Sequence, residues 1–393
     1  MQPGQLVTDS KRASTVRDGD AHVAEVPAGH YPGRASGSGP AEVTKWQESV
    51  RCRSRAVLAG FVSDRCAEHV QGVPGARFVT DLLGEFVTGG KYVRSTFAYL
   101  GWLCGAADED AALRAAASVE LIHAFALLQD DVMDRSALRR GRPAVHVALA
   151  DWHRAQGLAG DADRFGESAA VLLGDLCLVW AEQMLRGSGL SAAALAQGWP
   201  WWDTLRAELG VGQFADLVND ARLRPTVDQV LDVTRRKSGN YTVRRPLELG
   251  AALAGCGEPV LNALGTYGEL VGEAFQMRDD VLGVFGRPAV TGKPAGGDLR
   301  EHKATTVVVL ARELATPGQR DRLDRLSGRE SPADAEVEQW RCLIEATGAV
   351  AGAEQMIRNR VSAACAGLGG AGLPGFAAAA LGELAQRLTD RAG

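Results

Sequence analysis

Two stretches carry carboxylates where a helix should not keep them. Residues 127–134 read LLQDDVMD, and Asp130, Asp131 and Asp134 close an apolar run that reaches back to Val119. Residues 273–286 read EAFQMRDDVLGVFG, where Asp279 and Asp280 again close an apolar run, with Gln276 one turn earlier. Acids at the C-terminal end of a helix oppose its negative pole, and crowded carboxylates repel one another. On a 100° wheel His123, Leu127, Asp130 and Asp134 share one stripe, and Asp131 lies one step round. A solvated helix end is the plain reading of such acids. The apolar runs before them argue instead for buried helices whose acids need a partner of opposite sign. Hard cations are that partner. Mg²⁺ fits best, because it takes carboxylate oxygen, keeps several waters and completes its shell with substrate phosphates.

A phosphorylated substrate needs cations of its own, and four segments offer them. GGKYVRS supplies Lys91 and Arg94, LRRGRP supplies Arg139, Arg140 and Arg142, and RRKSGNYT supplies Lys237 beside the Ser238 hydroxyl. TGKPAGGDLREHK supplies Lys293 and Lys303 in a Gly-rich loop. Each taken singly reads as a solvated basic face, yet Arg forks and Lys point charges are what bind diphosphate oxygens. GRPAVTGK is not a Walker A loop, since five residues separate its glycines and Pro294 follows the lysine.

The elements that must position these residues read as helices. From Ala41 onward Ala/Leu/Val/Arg stretches recur at helical spacing between short Gly/Pro breaks, as at 111–134, 167–187, 204–219, 258–285 and 348–366. TTVVVL at 305–310 is the one ambiguous patch, WPWW at 199–202 reads as a packed loop, and GLGGAGLPG at 367–375 as a loop between helices. Residues 1–40, rich in Gly, Pro, Ser and charge, are expected to be a disordered tail ahead of one all-α domain over 41–393. With 46% hydrophobic residues, a net charge of −5 and a pI near 5.9, the chain can bury a core and has no broad basic surface for nucleic acid. Seven scattered cysteines without a CxxC pair read as reduced cytosolic thiols. No uninterrupted apolar stretch approaches the roughly 18 residues of a membrane span, and neither a signal peptide nor a prenylation box is present. A cytoplasmic protein is the expectation.

The order GGKxxR, DDxxD, RRGRP, KS, QxxDD and GKPxGxD, running from about residue 85 to 305, resembles the trans-isoprenyl diphosphate synthases, or polyprenyl synthetases. The resemblance implies a single large helical bundle around a central apolar cavity. It also implies condensation of isopentenyl diphosphate with an allylic diphosphate, about three Mg²⁺ ions per site and a homodimer. Carried over residue by residue, Asp130, Asp134 and Asp279 become metal ligands, supported by Asp131 and Asp280. Lys91, Arg94, His123 and Arg140 match positions that hold isopentenyl diphosphate. Arg139, Lys237 and Lys293 match those that grip the allylic diphosphate, with Lys303 in the same loop. Ser238 and Gln276 match positions near the nascent carbocation.

Three departures stand out: Gly283 replaces a frequent last aspartate of the second motif, Ser95 a frequent proline and Gln129 a frequent histidine. The resemblance also places Phe125 as the floor of the growing chain, and the small Ala126, about 40° from Asp130 on the wheel, leaves room for more than about fifteen carbons. Geranylgeranyl diphosphate is therefore the expected product, with farnesyl or longer diphosphates as alternatives. On the same wheel Phe125 lies about 140° from Asp130, so the resemblance alone puts it there. A class I terpene cyclase would have no use for GGKxxR and RRGRP, and a non-catalytic partner subunit none for an intact DDxxD.

Overall fold

The computed structural model describes residues 39–220, 225–286, 296–329 and 331–390, with the backbone alone at 219–220. The tail expected over 1–40 lies, up to residue 38, outside the described residues, as does Lys293. The described residues are almost wholly helical, as expected. The helices are α1 (Pro40–His69), α2 (Ala76–Thr88), α3 (Val93–Leu103), α4 (Asp110–Met133), α5 (Val145–Ala155), α6 (Ala162–Arg186), α7 (Ala192–Asp220) and α8 (Val227–Thr234). A π-helical stretch, Arg235–Arg244, runs straight into α9 (Arg245–Leu253) and is followed by α10 (Glu258–Phe285). Then come α11 (Gly297–Arg300), α12 (Thr306–Leu314), α13 (Pro317–Ser327), α14 (Asp334–Ala346), α15 (Ala349–Gly367) and α16 (Gly375–Thr389).

Helix α4 is built for burial. Asp110 sits in its first turn, where an acid complements the dipole, and almost every residue from Ala111 to Ile122 is buried. It packs against α6 and α3, while α3 lies against α9 and α10 lies against the π-helical stretch and α15. By length and composition α4 and α6 could cross a membrane, but 72% of the apolar window of α4 is buried inside the protein, and 44% of that of α6. The run that ends in aspartates is a core helix.

The π-helical stretch has a local cause. A Cβ on Gly272 of α10 would stand 2.5–2.6 Å from the backbone of Gly239, so two bare backbones cross there. Around the crossing, Glu273 (4% exposed) receives Arg235 at 2.7 Å and Arg360 of α15 at 2.6 Å. Arg278 of α10 pairs with Glu354 of α15 through two hydrogen bonds of 2.5 and 2.7 Å. Two arginines fix this buried acid in place, and removing either would leave it with only half of that compensation.

One local expectation fails, and the one ambiguous patch is decided. WPWW is not a loop: Trp199–Trp202 lie inside α7 with Pro200 in the helix, and Trp202 is fully buried. The proline removes one backbone donor, but burial of Trp202 outweighs that loss. TTVVVL also belongs to a helix, α12, with Thr305 at its N-cap. GLGGAGLPG does join two helices, α15 and α16.

Candidate active site

Basic side chains hold the first acidic helix end, and the segment that carries one of them also reaches the second. Lys237 Nζ lies 3.2 Å from Asp130 Oδ1 and also bonds Asp216 of α7. Lys303 Nζ lies 2.9 Å from Asp134 Oδ2 and 3.0 Å from Glu301. Three residues on, the Thr306 N–H donates to Asp280 Oδ2 at 2.9 Å, so one short segment holds an acid from each motif. Gln276 Nε2 donates to Asp280 Oδ1 at 3.0 Å. Asp279 is half-buried one position before it. Burial opposes charge on Asp130, yet Lys237 and Arg139 hold its carboxyl below the usual carboxylate range. Burial dominates at Asp280 and pushes its carboxyl upward. Burial also opposes charge on Lys303, which Asp134 and Glu301 nevertheless keep well above the ordinary ammonium range.

The RRGRP segment folds as a tiny antiparallel hairpin, Leu138–Arg139 against Arg142–Pro143. Its turn residues Arg140 and Gly141 have φ of 54° and 75°, the double left-handed conformation of a type I′ turn. That turn sends two adjacent arginines in different directions. Arg139 Nε donates to Asp131 Oδ1 at 2.9 Å and its guanidinium lies 3.6 Å from Asp130. Arg140 instead donates to the Phe86 carbonyl at 3.0 Å and stands against Gly89 of the GGKYVRS turn. Lys91 lies exposed at that turn. Arg94 donates to Thr242 Oγ1 at 3.0 Å and stacks on the Tyr241 ring, 4.2 Å from its centroid. The His123 ring is 6.2 Å from that of Tyr241. Burial, then Arg94 and Arg140, hold its imidazole well below the usual range, and so neutral.

Among the described residues no three carboxylates, histidines or cysteines converge on one coordination point, because lysines stand between the acids. The donor set nonetheless suits a hard cation. It offers only carboxylate oxygens, from Asp130, Asp131, Asp134, Asp216, Asp279 and Asp280, and Asp131 Oδ2 is buried without a hydrogen-bond partner.

Residues 77–344 match the family model described as polyprenyl synthetase. This chain belongs to that family. It is 33% identical over 314 residues to the (2E,6E)-farnesyl diphosphate synthase of Mycobacterium tuberculosis, covering 77% of this chain and 80% of that one. It is 32% identical over 281 residues to the geranylfarnesyl diphosphate synthase of Aeropyrum pernix, covering 70% and 82%. The fold superposes with a TM-score of 0.82 on a geranylgeranyl pyrophosphate synthase of Corynebacterium glutamicum complexed with isoprenyl diphosphate and magnesium, at 37% identity over 89% of this chain and 99% of that one. The protein is thus a prenyl diphosphate synthase, and the relatives it resembles are named for products of different chain length.

Each departure from the synthase pattern has a physical counterpart. A proline at position 95 would have no N–H, whereas Ser95 gives buried Glu120 two hydrogen bonds of 2.9 Å, from its backbone N–H and its hydroxyl. Gln129 turns away from the acids toward α6, 3.4 Å from Asp175. At Gly283 a Cβ would stand 1.8 Å from Asp298 Oδ2, so the carboxylate of Asp298 fills the space that a side chain at 283 would need. Restoring the common aspartate should therefore harm the protein. Gly283→Asp is expected to cost roughly 1–3 kcal/mol through overpacking, added to repulsion between two carboxylates. Thermal unfolding measures this, and a midpoint at or above that of wild type would contradict it.

Two residues of the cluster escape motif reading. Gln213 and Asp216, one turn apart on α7, reach Asp130 at 3.3 Å and Lys237 respectively. The signal was faint but real: GVGQFADLV repeats the pattern of an apolar helix interrupted by polar residues on one face.

Proposed function

We propose that this synthase condenses isopentenyl diphosphate with an allylic diphosphate and releases mainly geranylgeranyl diphosphate. The observation that carries the condensation is the split cation set. Lys237, Lys303 and Arg139 stand among the acids, while Arg94, Arg140 and neutral His123 form a separate basic group beside Tyr241. Two anionic heads therefore have two seats.

Asp130, Asp134 and Asp279, with Asp216 near, would hold about three Mg²⁺ ions, which as Lewis acids lower the energy of charge on a leaving diphosphate. Lys237, Lys303, Arg139 and Lys293 bind the allylic diphosphate as preorganised counter-charges. Lys91, Arg94 and Arg140 orient isopentenyl diphosphate so that its double bond faces the allylic carbon. Gln276 is fixed by its hydrogen bond to Asp280, and its oxygen and the Ser238 hydroxyl serve as dipoles that steady a developing cation. No nucleophilic side chain is needed. The buried apolar residues of α4 exclude water that would quench the cation.

The length assignment rests on Ala126, a methyl side chain one turn before Asp130, with Phe125 as the floor beyond it. Support comes from the 37%-identical geranylgeranyl pyrophosphate synthase; the farnesyl relative makes a fifteen-carbon product the second reading. Incubation with isopentenyl diphosphate, an allylic diphosphate and Mg²⁺, followed by chromatography, decides between them. Ala126→Phe should shorten the main product by at least one isoprene unit and Phe125→Ala should lengthen it. A fifteen-carbon product from wild type, or an unchanged distribution in Phe125→Ala, would remove the assignment.

The enzyme is further proposed to act as a cytoplasmic homodimer. Leu172 and Val179 on α6 and Val211, Phe214 and Val218 on α7 are large apolar side chains left exposed, with Phe214 68% exposed. Their cover by a second copy of the chain is part of this proposal. All seven cysteines are free, in keeping with a reducing compartment. Light scattering that returned the single-chain mass of 41.5 kDa would exclude the dimer, and absence from the cytosolic fraction would exclude the location.

A further inference from the structure

Three buried polar atoms in the second basic group make no well-aligned hydrogen bond: Arg94 Nε, His123 Nδ1 and Tyr241 Oη, the guanidinium lying near the phenol but stacked on its ring. They come from three elements, α3, α4 and the π-helical stretch, yet the aromatic contacts put them in one neighbourhood. Arg94 Cζ is 4.2 Å from the Tyr241 ring centroid, and the His123 ring is 6.2 Å from it. Native proteins rarely leave a buried hydroxyl unsatisfied, so a converging set of orphans calls for a polar guest. Tyr241 is 4% exposed, and its phenol, pushed upward by burial, remains a proton donor at neutral pH. Arg94 and Arg140 make the surroundings cationic, which selects an anion as the guest. The guest is not the one held among the aspartates: Lys237, Lys303 and Arg139 make those contacts, and none of the three orphans shares them.

We propose that the Tyr241 hydroxyl is a further substrate-positioning group, donating a hydrogen bond to the diphosphate of isopentenyl diphosphate while the ring below holds the Arg94 guanidinium in place. This rests on the condensation reading above. Tyrosine suits both tasks, since its face attracts a guanidinium and its edge carries a donor.

Tyr241→Phe separates the two tasks, because it keeps the ring under Arg94 and removes only the hydroxyl. KM for isopentenyl diphosphate should rise about 10-fold or more, as expected for a lost hydrogen bond to an ionised group. KM for the allylic diphosphate should stay within about twofold. Tyr241→Leu, which also removes the stack, should raise the first KM further. Calorimetric titration of isopentenyl diphosphate alone into wild type and Tyr241→Phe should show the same loss without turnover. Tyr241→Phe with both KM values within twofold of wild type, or with both raised equally, overturns the assignment. A wild type that neither turns over nor binds isopentenyl diphosphate overturns the condensation reading itself, and the two failures are distinct.

Discussion

Asp134→Asn and Asp130→Asn should each reduce turnover by roughly 10²–10³-fold while leaving the helical fold intact. Both acids end a helix whose burial is carried by Ala, Leu, Val and Ile upstream, so an isosteric amide changes charge without emptying space. The charge itself is what the site uses. Asp130 holds Lys237 at 3.2 Å and Asp134 holds Lys303 at 2.9 Å, so each amide also loosens a lysine. Asp175, on the neighbouring helix α6 and facing Gln129, makes a good control, and Asp175→Asn should keep wild-type turnover. Circular dichroism checks the fold and a radiolabelled condensation assay the rate. Near-normal turnover in either variant at saturating Mg²⁺ would end the assignment of these acids to the metal.

Gly272→Val should damage both stability and catalysis. The new Cβ would stand 2.5–2.6 Å from the Gly239 backbone, and a backbone cannot swing aside as a side chain tip can. Overpacking of this kind reaches about 3 kcal/mol, or roughly 3–5 °C in melting temperature for a chain of this size. The displaced element is the π-helical stretch that carries Lys237 and Ser238, so turnover should fall further than stability alone explains. Gly382→Ala, on α16 with nothing within 4 Å of its added Cβ, should leave the melting temperature unchanged or slightly raised. Gly272→Val with a wild-type midpoint and rate would show that the crossing has slack.

The acidic ends of α4 and α10 were legible in the sequence because two rules collide there. An apolar helix predicts burial, and buried acids predict partners. The seats of Arg139 and Arg140 were not legible from spacing, because a turn with positive φ at Arg140 sends neighbours apart. The π-helical stretch left no trace either. RRKSGNYTVR is polar along most of its length, and only the close approach of α10 explains its winding. WPWW misled for a related reason: a proline signals a break locally, while the burial of Trp202 is decided by the tertiary fold. Gln213 and Asp216 belonged to no motif and left only a faint trace in GVGQFADLV, so it is Lys237 and Asp130 that fix their place.

The clamps on α10 bear on the order in which the site comes together. Glu273 and Arg278 flank Gln276, one turn before Asp279 and Asp280, and their partners Arg360 and Glu354 lie beyond the family-matched span of 77–344. Arg278 also donates to the carbonyl of Thr389 at 2.6 Å, and the Tyr267 hydroxyl to that of Leu381 at 2.7 Å. On the ribosome the acid-bearing helix emerges before any of these partners has been translated. The helix that ends in the second aspartate pair therefore lacks these clamps until α15 and α16, which carry no signature residue, have been made.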